Sequence, residues 1–538
     1  MRSLSLFHRA IGAAVAALAL GAAAAPAQAA IDSDDAPQAT APAEAPAEAQ
    51  PAGDPAQALA ARLDALEQRN AELEALVRRL AEAEAKPAAP APKADPAAAK
   101  VSIPNGRPTI ASGDGRFTAA FRGMMQLDGA LFDQRKAGPL ATDFRRGSLG
   151  DAGEADRARD LADGTNFRRA RIGVEGKAFG DWDYSFLFDF AGTGVEQAGT
   201  VNQAWIQYSG FKPAKLRVGA FAPPAGIDDA TSAYGSLFLE RAAISEVVRG
   251  MAAADGRIGA GVLASGERWT ASAVVTGSTI GQQTFDEQLG FVARVAATPI
   301  KTDHALVHLG VNTSQVINPP ASGPDVPPAG TTTNLRLRER LENRVEGTRL
   351  VDTGNIDAEG ASAWGVEAAA QYKAFHVQGE YSKIGVERRT GALSDPKFGG
   401  WYVQAGWTVT GQPRKYNAAN GAFDAPKVEK AFDPKAGRWG VWEVGARYSE
   451  LDLDHRAGAP GSAAPANAVR GGSQKVTTLG VNWTPNNTMR FQANFQDVKV
   501  DRLSPGGTAF GAGALTPPAG AQIGQKLQIW SVRAQYVF

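Results

Sequence analysis

From about residue 116 to the C-terminus, apolar and polar positions alternate with a period of two, the pattern of a strand whose two faces meet different solvents. In 181–190, Trp182, Tyr184, Phe186, Phe188 and Phe190 share one face, with Asp181, Asp183, Ser185 and Asp189 on the other. The last segment repeats this, setting Trp530, Val532, Ala534, Tyr536 and Phe538 against Ser531, Arg533 and Gln535. The spacing predicts sixteen strands, at 117–131, 166–179, 182–191, 202–210, 214–221, 256–265, 267–277, 287–298, 304–313, 363–373, 376–386, 398–410, 438–452, 474–484, 488–501 and 526–538. Their connections mostly alternate: short at 180–181, 211–213, 266–267, 299–303, 373–375 and 485–487, long at 132–165, 222–255, 314–362, 453–473 and 502–525. A membrane barrel with a periplasmic N-terminus sorts its links this way, short ones inside and long ones outside, whereas a soluble sandwich has no reason to. The link 411–437 is long on the periplasmic side, and nothing in the sequence accounts for it.

Aromatic residues crowd the apolar face near segment ends (Trp182, Tyr208, Trp407, Trp442, Tyr448, Trp483, Trp530 and Tyr536), as interfacial girdles require. The expected fold is therefore all-β, a 16-stranded antiparallel transmembrane β-barrel over 116–538, wide enough to hold water. The terminal Phe538 resembles the C-terminal signature by which outer-membrane assembly machinery recognises its clients.

The first hundred residues follow other rules. Arg2, His8 and Arg9 precede an uncharged stretch, 10–25, and Pro26-Ala27-Gln28-Ala29 supplies a small-residue cleavage site, so 1–29 reads as a signal peptide and the mature chain starts near Ala30. The Ala/Pro/acidic composition of 30–55 reads as a disordered spacer. In 56–85, Leu59, Leu63, Leu66, Asn70, Leu73, Val77 and Leu80 are spaced 4-3-4-3-4-3, the narrow seam of a coiled coil with an Asn fixing register. The alternative is an amphipathic helix lying on the barrel or membrane. Residues 86–115 are a linker.

Composition narrows the function. The chain has 56 basic and 56 acidic residues, which excludes a strongly basic nucleic-acid binder. It has 0 cysteines in 538 residues, which suits export and removes thiolate nucleophiles and Cys-based metal sites. No apolar run after residue 30 is long enough for a transmembrane helix. His304 and His308 fall on an expected strand, where positions i and i+4 stand roughly 13 Å apart, too far to share an ion. No G-x-S-x-G, Walker A or H-E-x-x-H motif occurs. Neither an enzyme nor a cofactor is expected.

The stretch Phe167-Arg-Arg-Ala-Arg-Ile-Gly-Val-Glu-Gly176 resembles an early strand of porins of the phosphate-selective O and P family. The series Asp189–Ala191, Ala204–Tyr208, Arg217–Phe221, Pro224–Gly226, Phe238–Arg241 and Trp442–Ser449 continues the resemblance in the expected order. It implies an outer-membrane homotrimer, a third loop folded into the lumen, diffusion of small solutes and, in some members, phosphate uptake. Here the third long connection departs from an anion-binding loop, with Arg241 alone among Asp228, Asp229, Glu240 and Glu246 between Ala222 and Val248. By alternation Arg122, Arg169, Arg171, Lys215, Arg217, Arg294, Arg447 and Arg490 face the lumen, with Asp128, Glu175, Asp181, Asp183, Asp189, Glu367, Glu380 and Glu443. Those charges either pair with one another across strands or set a basic wall against an acidic loop. Expected partners are outer-membrane lipid, small solutes or anions and the assembly machinery. A second reading makes the chain a structural tether from the outer membrane to the cell wall through its coiled coil.

Overall fold

The computed structural model describes residues 55–85, 95, 98–134, 161–191, 199–281, 287–320, 334–389, 391–506 and 519–538. The signal peptide, nearly all of the first spacer, most of 86–97 and the middles of the links 132–165, 314–362 and 502–525 lie outside the described residues.

Helix α1 (Pro55–Ala85) is described by itself. Along it Leu63, Leu66, Leu73 and Val77 are 53–64% exposed, so the central part of the heptad seam is uncovered on a single chain.

The rest is a barrel. Its strands are β1 (Thr118–Gln134), β2 (Gly164–Ala178), β3 (Trp182–Asp189), β4 (Thr200–Tyr208), β5 (Ala214–Phe221), β6 (Arg257–Ser265), β7 (Trp269–Thr279) and β8 (Leu289–Lys301). They continue as β9 (Ala305–Asn318), β10 (Ile356–Tyr372), β11 (Phe375–Arg388), β12 (Lys397–Thr408), β13 (Val441–His455), β14 (Val469–Thr484), β15 (Met489–Asp501) and β16 (Lys526–Val537). Each pairs antiparallel with the next, and β16 closes on β1. All sixteen predicted strands are present. Several run further into the long links than predicted, as in β10, which starts at Ile356 rather than 363. Hydrogen bonding continues there after the lipid that imposes strict alternation has ended.

The wall inverts a soluble core. Phe186, Leu309, Val311 and Trp530 point outward, 43–56% exposed, while Arg294, Arg490 and Arg533 lie inward and fully buried. Trp442, Trp483 and Phe491 stack along the short-link rim, one interfacial girdle.

The closing seam depends on one glycine. Gly123 and Phe538 exchange backbone hydrogen bonds of 3.1 Å, and a Cβ on Gly123 would meet the Phe538 ring at 2.1 Å. Gly123→Val should therefore lower the fraction of heat-modifiable folded barrel on refolding, at an overpacking cost of about 1–3 kcal/mol. The double variant G123V/F538A should recover it; failure to recover would locate the defect away from this contact.

Candidate functional site

The connection 222–256, third on the long-link side, holds α2 (Ile227–Ala230) and α3 (Ala243–Ala252) and turns into the lumen because it carries its own apolar face. Ile244, Val247, Val248 and Met251 recur at helical spacing on α3 and, with Leu237 and Phe238, are at most 4% exposed. The wall makes room with glycines. A Cβ on Gly445 would meet Leu237 at 2.9 Å, one on Gly480 would meet Phe238 at 3.0 Å, and one on Gly400 would meet Ile244 at 3.1 Å. Leu341, Val345 and Leu350, from the link between β9 and β10, join the same apolar cluster.

Ion pairs fasten this packing. Glu240 accepts from Arg168 at 2.7 Å, from Arg533 at 2.9 Å and lies 3.4 Å from Arg344. Glu246 binds Arg344 at 2.8 Å and Arg241 at 2.9 Å. Asp229 binds Arg249 at 2.5 Å, and Asp228 accepts the Ala242 N–H ahead of α3 at 3.0 Å. Burial alone would raise the Glu240 carboxyl, but Arg168 and Arg533 hold it well below the usual carboxylate range. Burial does raise Asp228, against the pull of Arg447 and Arg241. The four loop acids are thus buried against the loop's own and the wall's donors, so they do not form an open acidic face.

The long periplasmic link also folds inward, which accounts for the exception left by the sequence. Within it Arg414–Asn417 pairs with Ala422–Pro426 as a hairpin. Arg294 donates to the carbonyls of Asn420 at 2.7 Å and Gly421 at 2.6 Å while bound to Glu367 at 2.7 Å. Tyr416 meets His308 at 2.7 Å, and Arg414 meets Glu443 at 2.8 Å. The hairpin lies under the constriction loop, joined to it by the 2.9 Å hydrogen bond of Ser232 to Asp424.

These insertions fill one side of the lumen. On β9–β16 the inward residues His308, Glu367, Arg447, Thr478, Arg490 and Arg533 are 0–3% exposed. On β2–β5 Arg169, Ser185, Asp189 and Gln207 are buried, but the inward Glu175, Asp183, Gln203, Trp205, Lys215 and Arg217 keep intermediate exposure. The inward glycines of this arc, Gly173, Gly219, Gly259 and Gly261, have wall atoms as their nearest neighbours. The aqueous passage therefore runs off-centre, along β2–β6.

Its lining is unevenly charged. Arg171 binds Asp189 at 2.7 Å and Asp255 at 3.3 Å, and Lys177 binds Asp183 at 2.7 Å. Toward the periplasm Arg107 and Arg122 share Glu175 at 2.6 and 2.7 Å. Arg217, and the buried Arg169 and Arg257 behind the lining, instead have no ion pair among the described residues. Arg169 donates to Gln126 at 2.6 Å, Arg217 donates to Gln207 at 2.8 Å with its guanidinium 4.0 Å over Trp205, and Arg257 donates to the Gly277 carbonyl at 2.9 Å.

The predicted residues thus divide. Arg122, Arg171, Lys215 and Arg217 lie along the passage; Arg169 is buried against the inserted loop; Arg241, Arg294, Arg447 and Arg490 fasten the inserted segments. Asp181 occupies the β2–β3 turn, exposed, rather than the lumen wall, because β3 begins one residue later. Alternation also missed Arg168. A bulge skips it, with Gln126 opposite Arg169 and Leu127 opposite Phe167, so two consecutive arginines turn inward. Arg257, the first residue of β6, was missed too, as were Arg344 and Arg414, which only the folded links bring into the lumen.

A family model described as phosphate-selective porin O and P matches residues 140–510. Porin O of Pseudomonas aeruginosa is 28% identical over 416 residues, 72% of this chain and 91% of the relative. The anion-selective porin from Comamonas acidovorans has 12% identity and a TM-score of 0.43, over 78% of this chain and 100% of that one. OmpT of Vibrio cholerae, expressed in the outer membrane, has 11% identity and a TM-score of 0.43, over 79% and 98%. The match across most of the barrel, on a closed wall of sixteen strands, places this chain in the phosphate-selective porin O and P family as an outer-membrane porin.

Proposed function

We propose that this porin favours small hydrophilic anions, phosphate among them, and passes them by diffusion along the β2–β6 wall. The observation that carries this reading is Arg217, a half-buried guanidinium on the open side of the lumen with no carboxylate within 4.0 Å among the described residues. A fixed cation beside a narrow passage lowers the energy of an anion and raises that of a cation. At 4 Å in water one charge contributes on the order of 1 kcal/mol, a several-fold change in permeability ratio. Planar-bilayer reversal potentials under a salt gradient, taken with chloride, phosphate and organic acids, should show anion preference. Arg217→Gln should lower the anion-to-cation ratio several-fold with little loss of conductance. Cation preference in the wild type would sink the reading.

In the same reading, cleavage near Ala30 releases a mature chain whose 30–55 spacer precedes a self-associating coiled coil at 56–85. The uncovered seam on α1 supports that association. Barrels assemble as homotrimers, conductance arrives in three equal steps, and the assembly machinery recognises the strand ending in Phe538. Deleting 31–99 should leave unit conductance unchanged. The channel carries out passage alone, with no catalytic step.

A further inference from the structure

The outer wall, unlike the lumen, ought to offer lipid a smooth apolar surface. Between β8 and β12 it is instead indented by a furrow of about 1040 Å³. Small outward residues, Ala368 on β10 and Gly379 on β11, form its floor, and Leu309 and Val366, 52% and 45% exposed, form its flanks. On the long-link side the furrow ends at Tyr381 and Trp401, which lie opposite one another in register. Trp364 packs beside Tyr381 with centroids 6.2 Å apart. Such a cluster of outward aromatics is what the headgroup boundary of a leaflet favours.

Just beyond that level stand two lysines. Across β11 and β12 Lys383 lies opposite Gly399 and Lys397 opposite Gly385, so they are diagonal neighbours, while on its other side Lys383 lies opposite Trp364. The Lys383 ammonium lies 5.8 Å over Trp364 and 6.0 Å over Tyr381. Besides Glu450, opposite Trp401, two carboxylates share the region: Asp452, opposite Gly399 on β13, and Glu387, further along β11. Neither forms a salt bridge with these lysines, whereas the outward Lys475 does pair, with Glu450 at 3.4 Å. Two like charges side by side, held at the interface without an ion pair, repel one another unless an anion lies between them.

We propose that this face is a built seat for a phosphorylated lipid of the outer leaflet. Acyl chain fills the furrow over Ala368 and Gly379, the rings close its upper end, and phosphate rests on Lys383 and Lys397. The lipid supplies both halves of the missing complement: apolar volume in the indentation and negative charge directly above it. A soluble phosphate ion supplies only the second, and a second barrel would have to present a ridge and an acidic pair at matching heights.

Native mass spectrometry of the delipidated full-length protein in mild detergent tests this with three probes: a glycolipid bearing two phosphates, phosphatidylcholine and inorganic phosphate. The diphosphorylated lipid should be retained in preference to phosphatidylcholine, about one per barrel, and millimolar inorganic phosphate should not displace it. K383A/K397A should lose roughly tenfold or more in retention. Ala368→Trp, which fills the furrow and keeps both lysines, should also lose it. Both variants should keep wild-type conductance and heat-modifiable migration, since their changes face outward. Equal retention by either variant would overturn the proposal, as would displacement by inorganic phosphate. Binding that appears only after the oligomer is split would make the face a subunit contact and overturn it as well. None of these outcomes depends on pore selectivity.

Discussion

Replacing Glu240 with glutamine should unseat the constriction loop and turn a steady open-channel current into a noisy, larger one. The side chain keeps its shape and loses its charge, so Arg168, Arg533 and Arg344, now 2.7, 2.9 and 3.4 Å from a carboxylate, would face a neutral amide inside the lumen. Removing one partner of a buried charge cluster costs about 3–5 kcal/mol, because the remaining charges have been taken out of water without compensation. Arg533 keeps Asp128 at 2.6 Å, which retains β16 against β1, so the barrel should still fold. The disturbance falls on the loop, which Arg168 on β2 and Arg533 on β16, the two neighbours of β1, would no longer hold. Single-channel recording at fixed voltage reads the effect directly. A quiet current of wild-type size from E240Q would mean that apolar packing of Leu237, Phe238 and Ile244 alone seats the loop.

The same cluster sets a pH dependence. The Glu240 carboxyl is depressed in the folded chain, so its contribution is present above the ordinary carboxylate value and lost as pH falls through the lower folded one. Glu246 is depressed as well: burial pushes it upward, and Arg344 and Arg249 more than offset that. Channel noise should therefore stay constant from neutrality to about pH 4 and rise only below it. Noise rising through pH 6–7 would show that other groups control the loop.

Arg294→Met should release the periplasmic hairpin and lower stability by a comparable amount, about 3–5 kcal/mol. Arg294 holds both the wall, through Glu367, and the hairpin, through the carbonyls of Asn420 and Gly421, and His308 joins the same two through Glu367 and Tyr416. Methionine matches the stem but donates nothing, so Glu367 would keep His308 at 2.9 Å and Asn312 at 3.3 Å without a guanidinium. Guanidinium-chloride unfolding in micelles measures the loss, and conductance should rise as the hairpin vacates the lumen. A midpoint shift that carries no change in conductance would place the hairpin outside the flow path.

Much of the architecture was legible because lipid is an intolerant solvent. Any strand bordering it must alternate, and each pair Trp182/Asp183 or Trp530/Ser531 displays that rule locally. The inserted segments were less legible, since no rule forces a loop inward. A signal was present nonetheless: Leu237, Phe238, Ile244, Val247 and Met251 are too apolar for an exposed connection, and inward glycines such as Gly445 and Gly480 mark where the wall receives them. The hairpin in 411–437 left a weaker trace, a long link on the side of short ones. Arg168 left none, because a bulge depends on how β1 and β2 settle their register.

By itself the sequence determined the barrel, its sidedness and its membrane, since each follows from contacts between neighbouring residues and a surrounding solvent. Which arginines would be bare was decided only in three dimensions. Arg533 meets Glu240 across 293 positions and Arg490 meets Tyr234 across 256, pairings set by where the loop comes to rest. Charge in a lumen is cancelled or left standing by its nearest partner, and nearness across a barrel is a property of the closed wall rather than of the chain.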